Sequence, residues 1–311
     1  MKTTSVHGMW SSRLMFVLAA TGSAVGLGNI WRFPYITSEN GGGAFVLVYL
    51  GCIAIVGLPI LFSEIVIGRR GRMSPVNSLK ELADDAGATR AWTGLGWLGM
   101  IAGFLVLSFY SVVAGWTLAY GFDYLSQLAL GAPAITEPGA TFTALLADPA
   151  RMIFWHAIFM ILTVGVVALG VEKGLERAVS ILMPTLFVLL LILLGYGMST
   201  GHFTEAVGFL FAPDWSRLSG AMVVTAMGQA FFTLSLGMCA IMTYGAYLPS
   251  HVNVPRTGVA VAFADTAVAL VAGLAIFPIV LAFGLDPEGG GAGFIFTALP
   301  LAFNEMPFGI A

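Results

Sequence analysis

Residues 14–35 read LMFVLAATGSAVGLGNIWRFPY. The stretch is long and apolar enough for a helix across a bilayer core of ~30 Å, which takes roughly 20 residues. Its middle suits an uninterrupted helix poorly. Gly22, Gly26 and Gly28 fall close together, and each costs about 1 kcal/mol relative to alanine in a helix interior. Gly22 and Gly26 alone would also fit a small-xxx-small packing face. Asn29 and Arg32 add polar groups that need partners at this depth, and with Gly28 they favour a true break.

The rest of the chain agrees with a membrane setting. Hydrophobic residues make up 58% of the 311 and charged residues 9%, against about a quarter charged in soluble domains. A soluble fold could not cover its surface with so few charges, and disorder needs the opposite balance. The net charge of −3 offers no basic surface for nucleic acid. Cys52 and Cys239 both lie in apolar runs and read as buried reduced thiols.

Seven candidate spans follow from the hydropathy: 14–36, 44–67, 92–128, 153–171, 178–198, 220–247 and 258–284. Of the 13 Lys and Arg, only Arg32, Arg151 and Arg217 fall on one side. The others, Lys2 and Arg13 included, lie at the N-terminus and in alternate loops. This bias places the N-terminus in the cytoplasm and Glu137, Asp148, Glu205, Asp214, Asp286 and Glu288 outside, in a multi-pass protein of the inner (plasma) membrane. The N-terminal charges and LMFVLAA mimic a secretory signal, but apolar character resumes at once and six more spans follow.

A second disturbance lies in the sixth span, GQAFFTLSLGMCA at 228–240, where Gln229, Thr233, Ser235 and Gly237 sit at mid-depth. Two interrupted helices five spans apart suggest two five-helix repeats, a pattern pointing to secondary transporters. Three charges also lie inside spans: Arg32, Glu64 and Asp265. Each would cost about 2.5–3.5 kcal/mol or more without a partner. Arg32 is the only mid-span cation and lies outward of the break, so a bound cation is the better partner for Asp265. Glu64, near the cytoplasmic end of its helix, reads as an anchor for neighbouring backbone.

The run from Trp10 to Leu50 closely resembles the neurotransmitter:sodium symporter family, in its bacterial amino-acid branch. SEIVIGRRG (63–71), EKGLERAVSILMPTLF (172–187), FLFAPDWSRL (209–218) and GQAFFTLSLGMCAIMTYGAY (228–247) extend the match. The resemblance implies an all-α membrane protein with a five-plus-five inverted-repeat fold whose first and sixth helices are broken at mid-membrane. It implies sodium-coupled symport of a neutral, hydrophobic or aromatic amino acid by alternating access, and no enzymatic activity. Residues 1–198 would hold the N-terminal tail and first repeat, 199–218 an extracellular loop, 219–284 two helices of the second repeat, and 285–311 another loop.

Carried over residue by residue, the resemblance places the first sodium on the Ala24 carbonyl, Asn29, Thr233 and Asp265, completed by the substrate carboxylate. The second sodium would use the carbonyls of Gly22 and Val25. The carboxylate would meet the N–H groups of Leu27 and Gly28, beside Ser23 and the Tyr110 hydroxyl. Val106, Phe231, Phe232, Thr233, Ser235 and Met238 would line the rest of the substrate site. Arg32 would serve the outer gate, and Trp10, His7 and Tyr247 the inner one.

Departures from the family pattern carry expectations of their own. Asp265 stands where relatives often have Asn; its fixed charge would replace the chloride held near positions matching Tyr49, Gln229, Thr233 and Ala269, so no chloride is expected. His7 stands where an Arg is common, which makes that gate weaker or pH-sensitive. Met238 replaces an aromatic ring and should admit bulkier substrates. GGGAGFIFTALPLAFNEMPFGIA (289–311) resembles the loop before the family's eighth helix, which implies an incomplete carrier with one complete sodium site and one partial site. Partners expected are the amino acid and the lipid bilayer, with a homodimer left open.

The rival readings are an ion channel and a non-transporting regulatory subunit. A retinal protein would want a lysine in 258–284, which has none. Gly94, Gly96 and Gly99 spell GxGxxG, but no strand precedes them, so helix packing is the expected role. His156 and His202 read as polar anchors near helix ends.

Overall fold

The structure is a computed structural model that describes residues 10–131, 135–285 and 293–306. His7 therefore lies outside the described residues, as do Lys2, Asp286 and Glu288.

The first span is two helices. Ser12 caps α1 (Arg13–Ala24), its side chain accepting from Met15 N–H, which satisfies one of the orphan donors of a helix start. The helix stops at Val25, which turns extended. The chain resumes as a π-helical turn, Gly28–Arg32, that runs into α2 (Phe33–Glu39). The two halves are bent by 48°. The close-packing alternative for Gly22 and Gly26 does not describe a shared seam: a Cβ at Gly22 would meet Met183, whereas one at Gly26 would meet the Tyr110 hydroxyl.

The second span is α3 (Gly43–Cys52), a π turn at Ile53–Gly57, and α4 (Leu58–Gly71). After α5 (Pro75–Asp85) comes α6 (Thr93–Leu130). Its 38 residues would run about 57 Å, longer than a bilayer core, so it must tilt or protrude. Helix α7 (Pro138–Leu146) leads to α8 (Pro149–Ala168), and a π turn at Val171–Glu176 leads to α9 (Arg177–Ser199). The fourth span thus ends three residues before the predicted 171, where Gly170 turns to a φ of +80°.

The sixth span is broken as well: α11 (Gly220–Thr233) and α12 (Ala240–Ala246) are separated by residues 234–239. The seventh is α13 (Val254–Ala282). Among the described residues, five helices are long and apolar enough to cross a membrane, and the bent first pair makes a sixth. Helix α11 is apolar but too short to cross by itself, so length and composition bear out six of the seven predicted spans. Two stretches read as loops contain short helices, α10 (Phe203–Phe211) and α14 (Phe294–Glu305).

The broken helices and the unbroken α13 lie inside, with α6, α8 and α9 toward the outside. Helix α13 packs on α9, α1 and α4; α12 packs on α4, and α11 on α3. Phe16, Phe33, Phe45, Leu61, Ile241 and Ile276 are wholly buried there. No residue of α8 is buried, and Phe104, Ile161 and Leu191 stand exposed on the outer helices. An apolar exterior around a core holding the polar groups is what a hydrocarbon solvent selects.

The GxGxxG glycines divide. Gly96 abuts Val76 and Gly99 abuts Cys239, as close packing requires, while Gly94 has nothing near it. Both cysteines are free, Cys239 buried and Cys52 half-buried. His202 pairs with Glu205 at 3.2 Å on the surface. His156 departs from the anchor reading, because it sits in the eighth position of α8, half-buried, with its backbone against Gly115 of α6.

Candidate ion and substrate site

The two breaks face each other. Ser235 Oγ, in the gap after α11, donates to the Ser23 carbonyl at the end of α1 (3.1 Å). Such contacts satisfy backbone groups released by unwinding, each of which would otherwise cost several kcal/mol (~2–7).

Beside this junction lies a wholly buried cluster of Asn29, Thr233 and Asp265. Asn29 Nδ2 donates to Asp265 Oδ1 at 2.8 Å and to the Asp265 carbonyl at 2.9 Å. Thr233 Oγ1 lies 3.0 Å from both carboxylate oxygens. Among the described residues, the neighbours bonded to the Asp265 carboxylate are an amide and a hydroxyl, and none is a cation. Asn29 Oδ1 faces the Gly26 N–H at 3.4 Å. Three elements far apart in sequence converge here: the first break, the end of α11 and the middle of α13. A carboxylate, an amide oxygen, a hydroxyl and nearby unwound carbonyls form the kind of donor set hard cations prefer.

Arg32 does not compensate Asp265. Its Nη1 donates to Gln229 Oε1 (2.5 Å), and its guanidinium lies 4.6 Å from the centre of the Phe232 ring. Gln229 Nε2 in turn donates to the Gly28 carbonyl (3.0 Å). Gln229 therefore ties Arg32 to the first break, a positioning role that the sequence reading missed. The signal was present as a fully buried polar residue at mid-span, but its partners were not legible.

Tyr110 comes from α6, and its hydroxyl accepts the Gly28 N–H at 2.8 Å. That N–H is one of the two donors that the resemblance offered to a carboxylate. The Tyr110 and Phe232 rings pack at 5.8 Å, so Gly28, Tyr110 and Phe232 form one wall. Replacing Tyr110 by Phe leaves the Gly28 N–H without this acceptor, a loss worth about 1–3 kcal/mol. The expected result is a thermal midpoint lowered by several degrees, measured on the purified chain in one detergent.

Met238 lies opposite Gly103 of α6, its carbonyl 3.2 Å from where a Cβ there would stand. Phe231 and Val106 are half-buried. Gly22 faces Met183 and Val179 of α9. Ala24 and Val25 are buried at the end of α1, and Leu27 is half-buried ahead of the π turn.

Trp10 is clasped against the end of α12. Its N–H donates to the Tyr247 carbonyl (3.1 Å) and its indole Nε1 to the Tyr244 carbonyl (3.2 Å). The indole packs edge-on against both tyrosine rings. Ser11 donates through its backbone and its hydroxyl to Glu176. Glu64 Oε1 accepts the Gly237 N–H at 2.7 Å, the anchoring expected of it.

Comparison with known proteins gives a consistent outcome. The family model described as the sodium:neurotransmitter symporter family matches residues 7–132 and 146–310. The chain is 41% identical to the sodium-dependent transporter YhdH of Bacillus subtilis, over 96% of this chain and 65% of that one. It is 34% identical to a sodium-dependent transporter of Haemophilus influenzae, over 96% and 66%. The crystal structure of MhsT in complex with L-phenylalanine superposes with a TM-score of 0.90 at 49% identity, covering 97% of this chain and 68% of that one. The chain thus spans about two thirds of the length of the proteins it matches.

Proposed function

The chain belongs to the sodium:neurotransmitter symporter family, and from that membership we propose that it forms the ion- and substrate-binding part of a carrier that brings a neutral, hydrophobic or aromatic amino acid into the cell with sodium. The observation that carries the reading is Asp265, wholly buried and bonded to Asn29 and Thr233 beside two broken helices. A buried carboxylate without a protein cation is costly, and an exchangeable cation offsets that cost.

In this reading sodium binds Asp265, Thr233, Asn29 and the Ala24 carbonyl. A second sodium meets the Gly22 and Val25 carbonyls. The substrate carboxylate takes the Leu27 and Gly28 N–H groups at the start of the outer half-helix, where the helix dipole favours an anion, and shares the Tyr110 hydroxyl. Ser23, Val106, Phe231, Phe232, Ser235 and Met238 face the side chain, and L-phenylalanine in MhsT supports an apolar substrate. Binding is coupled because the ion and the carboxylate neutralise each other in a place from which water is excluded. Arg32 over Phe232 serves the outer gate, Trp10 with Tyr247 the inner one, and alternating opening of the two moves both ligands.

The fixed charge of Asp265 makes chloride unnecessary. The N-terminus faces the cytoplasm of a cell whose inner membrane holds the protein, with residues 1–198 as the first five-helix repeat. A homodimer is compatible with the exposed apolar faces.

The test is equilibrium binding of labelled phenylalanine, tryptophan, leucine, alanine and glutamate to the purified chain in sodium, potassium or choline. Saturable binding of the bulky apolar members in sodium alone, undiminished when gluconate replaces chloride, is expected. Equal binding in sodium and potassium would sink the reading. Large single-channel currents in reconstituted vesicles would favour a pore instead.

A further inference from the structure

We propose that Gly57 and Leu234 form a socket and knob that set the register of the break in the sixth span, and so act as positioning residues for Thr233 and Ser235. The importance of those two side chains rests on the functional reading above; the socket itself does not.

The break is conformationally costly. Ser235 and Cys239 hold φ values of +54° and +61°, and Gly237 holds +77°. Residues with a Cβ persist in that region only where their surroundings over-determine it. Leu234, the first residue past α11, is wholly buried. Its Cδ1 lies 3.0 Å from where a Cβ at Gly57 would stand, so a methyl group there would press this buried side chain aside by a few tenths of an ångström.

Gly57 closes the π turn Ile53–Gly57, at the level where the neighbouring span breaks. Helix α3 packs on α11, α4 on α12, and the π turn itself on α11. One neighbour can follow two helix segments with different axes only if it changes its own register between them. The extra residue of a π turn supplies that change, and the missing side chain at its last position leaves room for Leu234. Two turns further along the same helix, Glu64 takes the Gly237 N–H. The second span thus grips the break at both of its ends. Leu234 stands between Thr233, bonded to Asp265, and Ser235, bonded to Ser23, so a displaced knob moves both.

The test uses Cys52→Ser protein, in which Cys239 is the only thiol. Cys239 is buried, packed on Gly99 and donating to the Gly96 carbonyl, so its maleimide labelling rate reports the position of the break without any ligand. Gly57→Ala is expected to raise that rate about tenfold and to shift the sodium dependence of phenylalanine binding to about tenfold higher concentration. Adding Leu234→Val restores the lost space and should return both to within about twofold of the parent.

Unchanged labelling in Gly57→Ala, or no recovery in the folded double variant, overturns the proposal. If Gly57→Ala yields no folded protein, Leu234→Ala empties the socket from the other side; raised labelling there supports the proposal and unchanged labelling overturns it. A parent chain that binds no phenylalanine in sodium would refute the functional reading, and the thiol measurement would still decide the socket.

Discussion

If Asp265 holds sodium as proposed, Asp265→Ala is expected to weaken the sodium dependence of amino-acid binding, with apparent sodium affinity falling on the order of 100-fold or more. The magnitude follows from taking the one full negative charge out of a wholly buried oxygen cluster: breaking a buried charge pair costs about 3–5 kcal/mol, and each 1.4 kcal/mol is roughly tenfold. The helices should survive. Asn29 Nδ2 keeps its bond to the backbone carbonyl of residue 265, and alanine suits the middle of α13. Asp265→Asn keeps an oxygen and the shape while losing the charge, so its affinity should fall less than that of the alanine variant. Substrate binding titrated with sodium at constant ionic strength checks both. An unchanged sodium curve for Asp265→Ala would remove the ion-site assignment.

Gly68→Val is expected to lower the thermal midpoint and the folded yield markedly. A Cβ at Gly68 would lie 1.9 Å from the Met242 carbonyl oxygen and 3.0 Å from the Ala246 amide nitrogen. On the facing helix, Gly245 also approaches backbone, with its would-be Cβ 2.8 Å from the Ile65 carbonyl oxygen. Helices α4 and α12 are therefore in backbone contact, and no rotamer can relieve the collision. Overpacking costs about 1–3 kcal/mol even where side chains can move; against backbone the upper end applies, equivalent to roughly 10 °C in apparent melting temperature.

The damage would spread inward, because α12 has seven residues and its end carries the Tyr244 and Tyr247 carbonyls that hold Trp10. Gly51→Ala is the matched control. Nothing lies within 4 Å of that position, and alanine improves helix propensity. Monodisperse yield and thermal midpoint in one detergent distinguish the two variants.

Much of this protein was legible in its residues because the bilayer makes composition speak about depth. Apolar runs of span length placed the helices, since unpaired backbone cannot cross hydrocarbon. Clustered glycines and polar residues at 22–29 and 228–240 marked the breaks, which the coordinates put at 25–27 and 234–239. A lone aspartate among alanines and valines marked Asp265. Each of these inferences needs only the identity of residues and their distance from a span's centre.

What the residues did not disclose is which side chain meets which across two helices. Gln229 bridging Arg32 to Gly28, Leu234 seated at Gly57, and the division of Gly22 and Gly26 between different neighbours all depend on the rotation and crossing point of helices far apart in sequence. A shift of one residue turns a helix face by about 100°, so such pairings follow from the packed core as a whole. Depth was therefore written locally, and partnership was decided by the tertiary fold.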